Sequence, residues 1–134
     1  MARYLPPFEA LKDVIKRSAM GNENRLEMSF EDLQTLIRTL LTVVEVDEVF
    51  YLSRNPDVAD AIRNGTIRSA QEHFTDHGYF EGRLPYRIDV NETWYRGHHN
   101  DVAITITNGE YGSAQDHFDG PGYSEGRKPF PLTP

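Results

Sequence analysis

Residues 46–86 read VDEVFYLSRNPDVADAIRNGTIRSAQEHFTDHGYFEGRLPY, and residues 90–130 read VNETWYRGHHNDVAITITNGEYGSAQDHFDGPGYSEGRKPF. The second string lies on the first without a gap at an offset of 44 residues (90 − 46). About 20 of the 41 aligned positions are identical, where background composition gives about 2. The identities include Tyr51/Tyr95, Asp57/Asp101, Val58/Val102, Gly65/Gly109, Ser69/Ser113, Gln71/Gln115, His73/His117 and Phe74/Phe118. They continue through Gly78/Gly122, Tyr79/Tyr123, Glu81/Glu125, Gly82/Gly126, Arg83/Arg127 and Pro85/Pro129. This is a tandem duplication, and the fold follows from what one unit is.

Each unit is punctuated as short helices. Val46–Leu52 carries an apolar i, i+3, i+4 set at Val46, Val49 and Phe50. Asn55-Pro56 reads as an N-cap with proline at the first helical position, opening a helix over 57–63 that Gly65 stops. Ser69 caps a second helix with Glu72 three residues on; it is expected over 70–77, stopped by Gly78. Tyr79–Pro85 cannot continue a helix and is expected as a packed turn with Gly82 at positive φ, as is Gly126 in unit two. In unit two Ile104-Thr-Ile-Thr107 alternates like a strand. The ungapped match to unit one outweighs that local propensity and predicts helix.

Ahead of the repeats, Pro6-Pro7 leads into a helix over Phe8–Met20, with Phe8, Leu11, Val14 and Ile15 on one face and Gly21 as a stop. A polar linker follows over 21–27. Ser29, with Asp32 three residues on, caps a helix running to about Val46. Its apolar stripe of Phe30, Leu33, Leu36, Ile37, Leu40, Leu41, Val43 and Val44 is wider than a lone surface helix needs. Either the repeats cover it or a second copy does, as a homodimer seam through 29–46. The expected fold is all-α: segment 1–45 with two helices, then units 46–89 and 90–134, packed as one body.

The strings Phe50-Tyr-Leu, Asn55-Pro-Asp-Val58, Ser69-Ala-Gln-Glu-His-Phe74 and Gly78-Tyr-Phe-Glu-Gly-Arg-Leu-Pro85 resemble a short bacterial repeat. Its pattern runs aromatic-Tyr-Leu, Asn/Tyr-Pro-Asp-Val, Ser-Ala-x-Glu-His-aromatic, Gly-x-x-Glu-Gly-Arg-x-Pro. The resemblance covers 46–86 well and 90–130 with departures, at Asn55-Pro56 (here His99-Asn100) and at Gly120-Pro-Gly122. Such repeats accompany proteobacterial glycosyltransferases, sulfotransferases and other surface-polysaccharide proteins, and occur in some large secreted proteins. The resemblance implies an accessory module whose partner is a glycosyltransferase or another envelope enzyme.

Composition narrows the chemistry. The 134 residues carry 14 basic and 21 acidic groups, a net charge of −7, with the excess in the repeats. Such a chain repels phosphate backbones, so no nucleic-acid partner is expected. The absence of cysteine excludes disulfides and thiolate metal centres. No apolar run approaches the roughly 20 residues of a membrane span, and the start lacks a signal-peptide core, so a cytoplasmic protein is expected.

Candidate sites are few. His73 and His77 stand at i, i+4, a metal-ligand spacing, but unit two has Pro121 where His77 stands. His73, Glu81, Arg83 and their copies His117, Glu125, Arg127 admit an acid–base reading. Equal spacing in two copies favours struts that tie down the Gly82 and Gly126 turns, with His73 and His117 orienting the Glu-Gly-Arg segments. His98-His99 is expected as a solvated loop. Twelve of the 15 aromatics follow residue 45. Tyr51, Tyr79, Tyr86, Trp94, Tyr95, Tyr111, Tyr123 and Phe130 serve either as core or as a stacking platform for a glycan or small ligand. On that second reading Tyr86, Tyr111 and Phe130 are the exposed ones. No cofactor motif is present. The reading that fits best is a non-enzymatic interaction or scaffold module; glycan binding is the alternative, and a small metalloprotein or enzyme the third.

Overall fold

The computed structural model describes residues 3–18 and 27–132, and among them every regular element is helical. Helix α1 spans Phe8–Ser18 and α2 spans Phe30–Leu41. The expected ends of α1 at Met20 and Gly21, and the linker to residue 26, lie outside the described residues. The repeats contribute α3 (Glu48–Arg54), α4 (Pro56–Arg63) and α5 (Ala70–His73), then α6 (Glu92–His98), α7 (Asn100–Thr107) and α8 (Ala114–His117). Each element of the second set lies 44 residues after its counterpart.

Local chemistry explains the boundaries. Ser29, Ser69 and Ser113 each accept the backbone N–H three residues on, from Asp32, Glu72 and Asp116, at 3.0 Å. Gly65 and Gly109, at φ 77° and 81°, end α4 and α7. Helix α7 forms over the alternating Ile-Thr stretch, as the match to repeat one predicts, and Thr105 and Thr107 donate their hydroxyls back to the carbonyls of Val102 and Ala103.

Four expectations need correction. Helix α2 stops at Leu41 instead of Val46, because Val43 and Val44 close i→i+3 turns and the Val46 N–H is taken by the Gln71 side chain at 3.1 Å. Helix α3 starts at Glu48, two residues later than the apolar set from Val46 suggests. Asp47 accepts the Phe50 N–H, Val49 is 82% exposed, and the buried side chain is Tyr51. Asn55 precedes Pro56 as expected but does not cap α4; its amide donates back to the Tyr51 carbonyl at 2.7 Å.

The fourth correction concerns Gly78 and Gly122, which stop nothing. The α5 path widens after His73 into a π-turn over Phe74–Gly78, closed by Tyr79 N–H to Phe74 O at 2.9 Å, and Phe118–Gly122 does the same. A Cβ at Gly78 would land on the Tyr51 hydroxyl, and one at Gly122 on that of Tyr95. Glycine is required there for close approach. The stop comes four residues later at Gly82 and Gly126, with φ 77° and 83°. There Arg83 N–H bonds Gly78 O and Gly82 N–H bonds Tyr79 O, the paired bonds of a Schellman ending.

The chain divides into two compact units: Leu11–Arg87, and Met1–Ala10 with Ile88–Pro134. In the first, α2 lies against the π-turn of repeat one, where Arg38 donates to the Asp76 carbonyl and its guanidinium sits 5.1 Å over the Phe80 ring. Its buried residues include Ile37, Leu41, Tyr51, Val58, Phe74, Tyr79 and Leu84. In the second, the N-terminal arm covers repeat two. Tyr123 donates its hydroxyl to the Leu5 carbonyl at 2.9 Å, Tyr4 meets Phe130 edge-on, and Pro7 and Phe8 are buried. Each repeat is also tied end to start, by Asp47 N–H to Pro85 O and by Asn91 N–H to Pro129 O, both 3.0 Å.

Candidate functional site

The identical polar residues of the repeats converge on one cluster per unit. In repeat one the Tyr51 hydroxyl lies 2.8 Å from His73 Nδ1, and His73 Nε2 lies 3.7 Å from Glu81 Oε1. Glu81 Oε1 is 3.4 Å from Arg83 Nε. The Arg83 fork holds both oxygens of Asp57, at 2.9 and 3.0 Å, and donates to Asn55 Oδ1 at 2.8 Å. The Asn55 amide returns to the Tyr51 carbonyl, so the network closes on the residue where it began.

Repeat two rebuilds the tyrosine–histidine and arginine–carboxylate parts of this arrangement, with one substitution. Tyr95 OH lies 3.0 Å from His117 Nδ1. Arg127 Nε donates to Glu125 at 2.8 Å, and its fork takes both Asp101 oxygens at 3.0 and 2.5 Å. His99 replaces Asn55. Its Nε2 faces the Lys128 carbonyl at 3.3 Å, so the ring proton sits there and Nδ1 presents a lone pair to Arg127 Nη1 at 3.4 Å. The solvated-loop expectation for His98-His99 is therefore corrected. His99 also packs on Tyr95 at 4.4 Å between centroids, and His98 stacks on Trp94 at 4.4 Å.

Burial fixes the protonation states. It pushes the Tyr51 and Tyr95 hydroxyls far up, so both are donors. Burial, with the nearby Arg83 or Arg127 charge, holds His73 and His117 below the ordinary imidazole value, so both are neutral acceptors at Nδ1. In repeat one the remaining His73 proton, on Nε2, is directed toward Glu81. The hydrogen bonds from Arg83 and Arg127 hold Asp57 and Asp101 below the usual carboxylate range. Among the described residues no buried side-chain nitrogen or oxygen lacks a hydrogen-bond partner.

His73 and His77 stand 5.8 Å apart between ring centroids, and the described residues hold no group of three or more potential metal ligands. Of the aromatic candidates, Tyr51, Tyr79, Tyr86, Tyr95 and Tyr123 are buried and offer no face to a sugar. Tyr86, expected to be exposed, is 7% accessible. Trp94, Tyr111 and Phe130 are half-buried, and each has a neighbouring ring: His98, His117 at 4.9 Å and Tyr4 at 6.2 Å.

Sequence reasoning missed Asn55/His99 as arginine partners, because the two copies differ in residue type there. It also passed over Asp57/Asp101 and Gln71/Gln115, although their identity in both copies was a usable signal. Gln115 bridges Val90 N–H and the Ile88 carbonyl, each at 2.9 Å. Glu92, matched by Glu48, accepts the Ala114 and Gln115 N–H groups at the start of α8.

The surface of α2 presents a different kind of site. Ile37 and Leu41 are buried, while Leu36, Leu40 and, just past the helix, Val43 are 47%, 62% and 87% exposed. Phe30 at its first turn is 58% exposed. The wide stripe is thus only half covered within the chain. No described helix is long and apolar enough to cross a membrane. Compared with protein-family profiles, curated proteins and solved structures, the chain finds no match.

Proposed function

We propose that this chain is a non-enzymatic docking module that binds a protein partner through the uncovered side of α2. The observation that carries the reading is the apolar ridge of Leu36, Leu40 and Val43 beside the seated pair Ile37 and Leu41. A contiguous exposed apolar strip marks an interaction surface, and covering it returns about 25 cal/mol per Å² of apolar area. The polar clusters support the same reading. Each spends its donors and acceptors on holding a turn, in two copies, where a catalytic site brings unlike groups to one reacting atom. The partner class, a glycosyltransferase or another enzyme of bacterial surface-polysaccharide synthesis, rests on the resemblance of the Ser69–Phe74 and Gly78–Pro85 strings.

The test is affinity capture from the native host with the tagged full chain and with a Leu36→Gln/Leu40→Gln variant. Both positions are exposed and glutamine is a good helix former, so the variant keeps the fold. The expected result is recovery of an envelope polysaccharide enzyme by the native chain and its loss with the variant. Recovery of the same proteins by both chains, or of none beyond the bait, overturns the proposal.

A further inference from the structure

The geometry points to a basic amphipathic helix of another protein as the occupant of the α2 ridge, an inference that deepens the docking reading and rests on it. Within α2, Leu33, Leu36 and Leu40 succeed one another at steps of three and four residues, and Val43, three further on in the closing turn, extends the row. That is the spacing at which one helix offers its side chains to another along a coiled-coil seam. Leu33 is half-buried and the other three are exposed, so the row emerges from the surface progressively toward its C-terminal end.

Charge selects the partner. Glu27, Glu31 and Asp32 stand before the ridge, and Glu45, Asp47 and Glu48 after it. The one cation between them, Arg38, is turned to Phe80 and the Asp76 carbonyl. Residues 27–48 therefore carry 1 − 6 = −5. The helix of 12 residues is about 18 Å long at ~1.5 Å per residue. A docked helix of similar length thus meets an acidic field at each end, and Lys or Arg beside its apolar seam is attracted at both. A second copy of this chain does not fit. Antiparallel pairing of two ridges sets Glu31 and Asp32 against Glu45, Asp47 and Glu48, and parallel pairing sets each acidic end against itself. An anionic bilayer is repelled for the same reason.

The experiment titrates the full-length protein with four labelled synthetic peptides of equal length. Three share one leucine heptad seam and differ in their flanking residues, which are Lys/Arg, Gln or Glu. The fourth has the Lys/Arg composition with the seam scrambled. The expected result is that the Lys/Arg helix binds about ten-fold or more tighter than the Gln helix, weakens with salt, and loses about ten-fold in the Leu36→Gln/Leu40→Gln variant. Equal binding of the scrambled basic peptide, of the Gln or Glu helix, or no binding of the Lys/Arg helix overturns it. So does a dimer in sedimentation, or adsorption to anionic vesicles, that the same variant abolishes. An envelope enzyme captured through Leu36 and Leu40 while the Lys/Arg helix fails would leave the docking reading standing and remove this one.

Discussion

The hydroxyl of Tyr51 stands 2.8 Å from Nδ1 of His73, and Tyr95 repeats the contact to His117 at 3.0 Å. In both, a protonated phenol donates to a neutral imidazole, and both imidazoles are held neutral by burial first and by the adjacent arginine second. The unfolded chain takes up a proton on each histidine near pH 6.5. Below that value the unfolded state binds more protons than the folded state, so stability falls as pH falls. The contribution is fully present above about pH 7 and is lost from about 6.5 down to the lower folded values. His99, also held low by burial, adds in the same direction. Urea unfolding should give a constant midpoint between about pH 8 and 7 and a declining one toward about pH 5. His73→Gln/His117→Gln should flatten that decline. A wild-type midpoint unchanged down to pH 5 contradicts the assignment.

Gly78 and the Tyr51 hydroxyl occupy the same small space, since a Cβ on the glycine would meet the phenol oxygen. Gly78→Ala is expected to cost about 2–3 kcal/mol by overpacking. Tyr51→Phe should cost about 1–2 kcal/mol, because it leaves His73 Nδ1 buried without its donor. In the double variant the clashing atom is gone, so the two losses should not add. Denaturant melts of the four proteins measure the coupling, and strict additivity would show that the hydroxyl is not what excludes the side chain.

The legible parts of this molecule are those where one residue type has one local job. Serine caps at 29, 69 and 113, the left-handed glycines at 65, 82, 109 and 126, and the 44-residue repeat all follow from short-range chemistry or from identity between copies. The π-turn at 74–78 was not legible, because over the nine residues from Ser69 to His77 a widened turn and an α-helix bury nearly the same positions. Gly78 therefore read as a stop when its role is steric. Asn55 read as a cap because it precedes proline, although its side chain serves Arg83. The half-covered stripe of α2 was visible as excess apolar width, but which half repeat one would cover depended on tertiary contacts at Ile37 and Leu41.

Arg83 and Arg127 each grip a carboxylate with two nitrogens while reaching a second acceptor with the same fork, a geometry that an ammonium cannot reproduce. Asp57 and Asp101 are well exposed at the surface, so water screens the pairs and the energies are modest. Arg83→Lys should lower stability by about 1 kcal/mol, and Asp57→Asn by a similar amount. The two together should cost little more than either alone, because both break the same pair. Thermal melts distinguish the cases, and an Arg83→Lys protein as stable as the native one would remove the fork from the account.

Phe8 is 8% accessible and belongs to the arm that covers repeat two, where Tyr123 also reaches the Leu5 carbonyl. Truncating it to alanine leaves a cavity in the unit formed by Met1–Ala10 and Ile88–Pro134, at a cost of about 3 kcal/mol. The loss should be local, because the elements of repeat one belong to the other compact unit. Hydrogen exchange on Phe8→Ala should therefore show reduced amide protection across α6, α7 and α8, with α3, α4 and α5 close to native. Tyr123→Phe should produce the same pattern at smaller amplitude, since it removes one hydrogen bond and no packing volume. Equal loss of protection in both repeats would mean that the units unfold together and that the arm stabilises the whole chain.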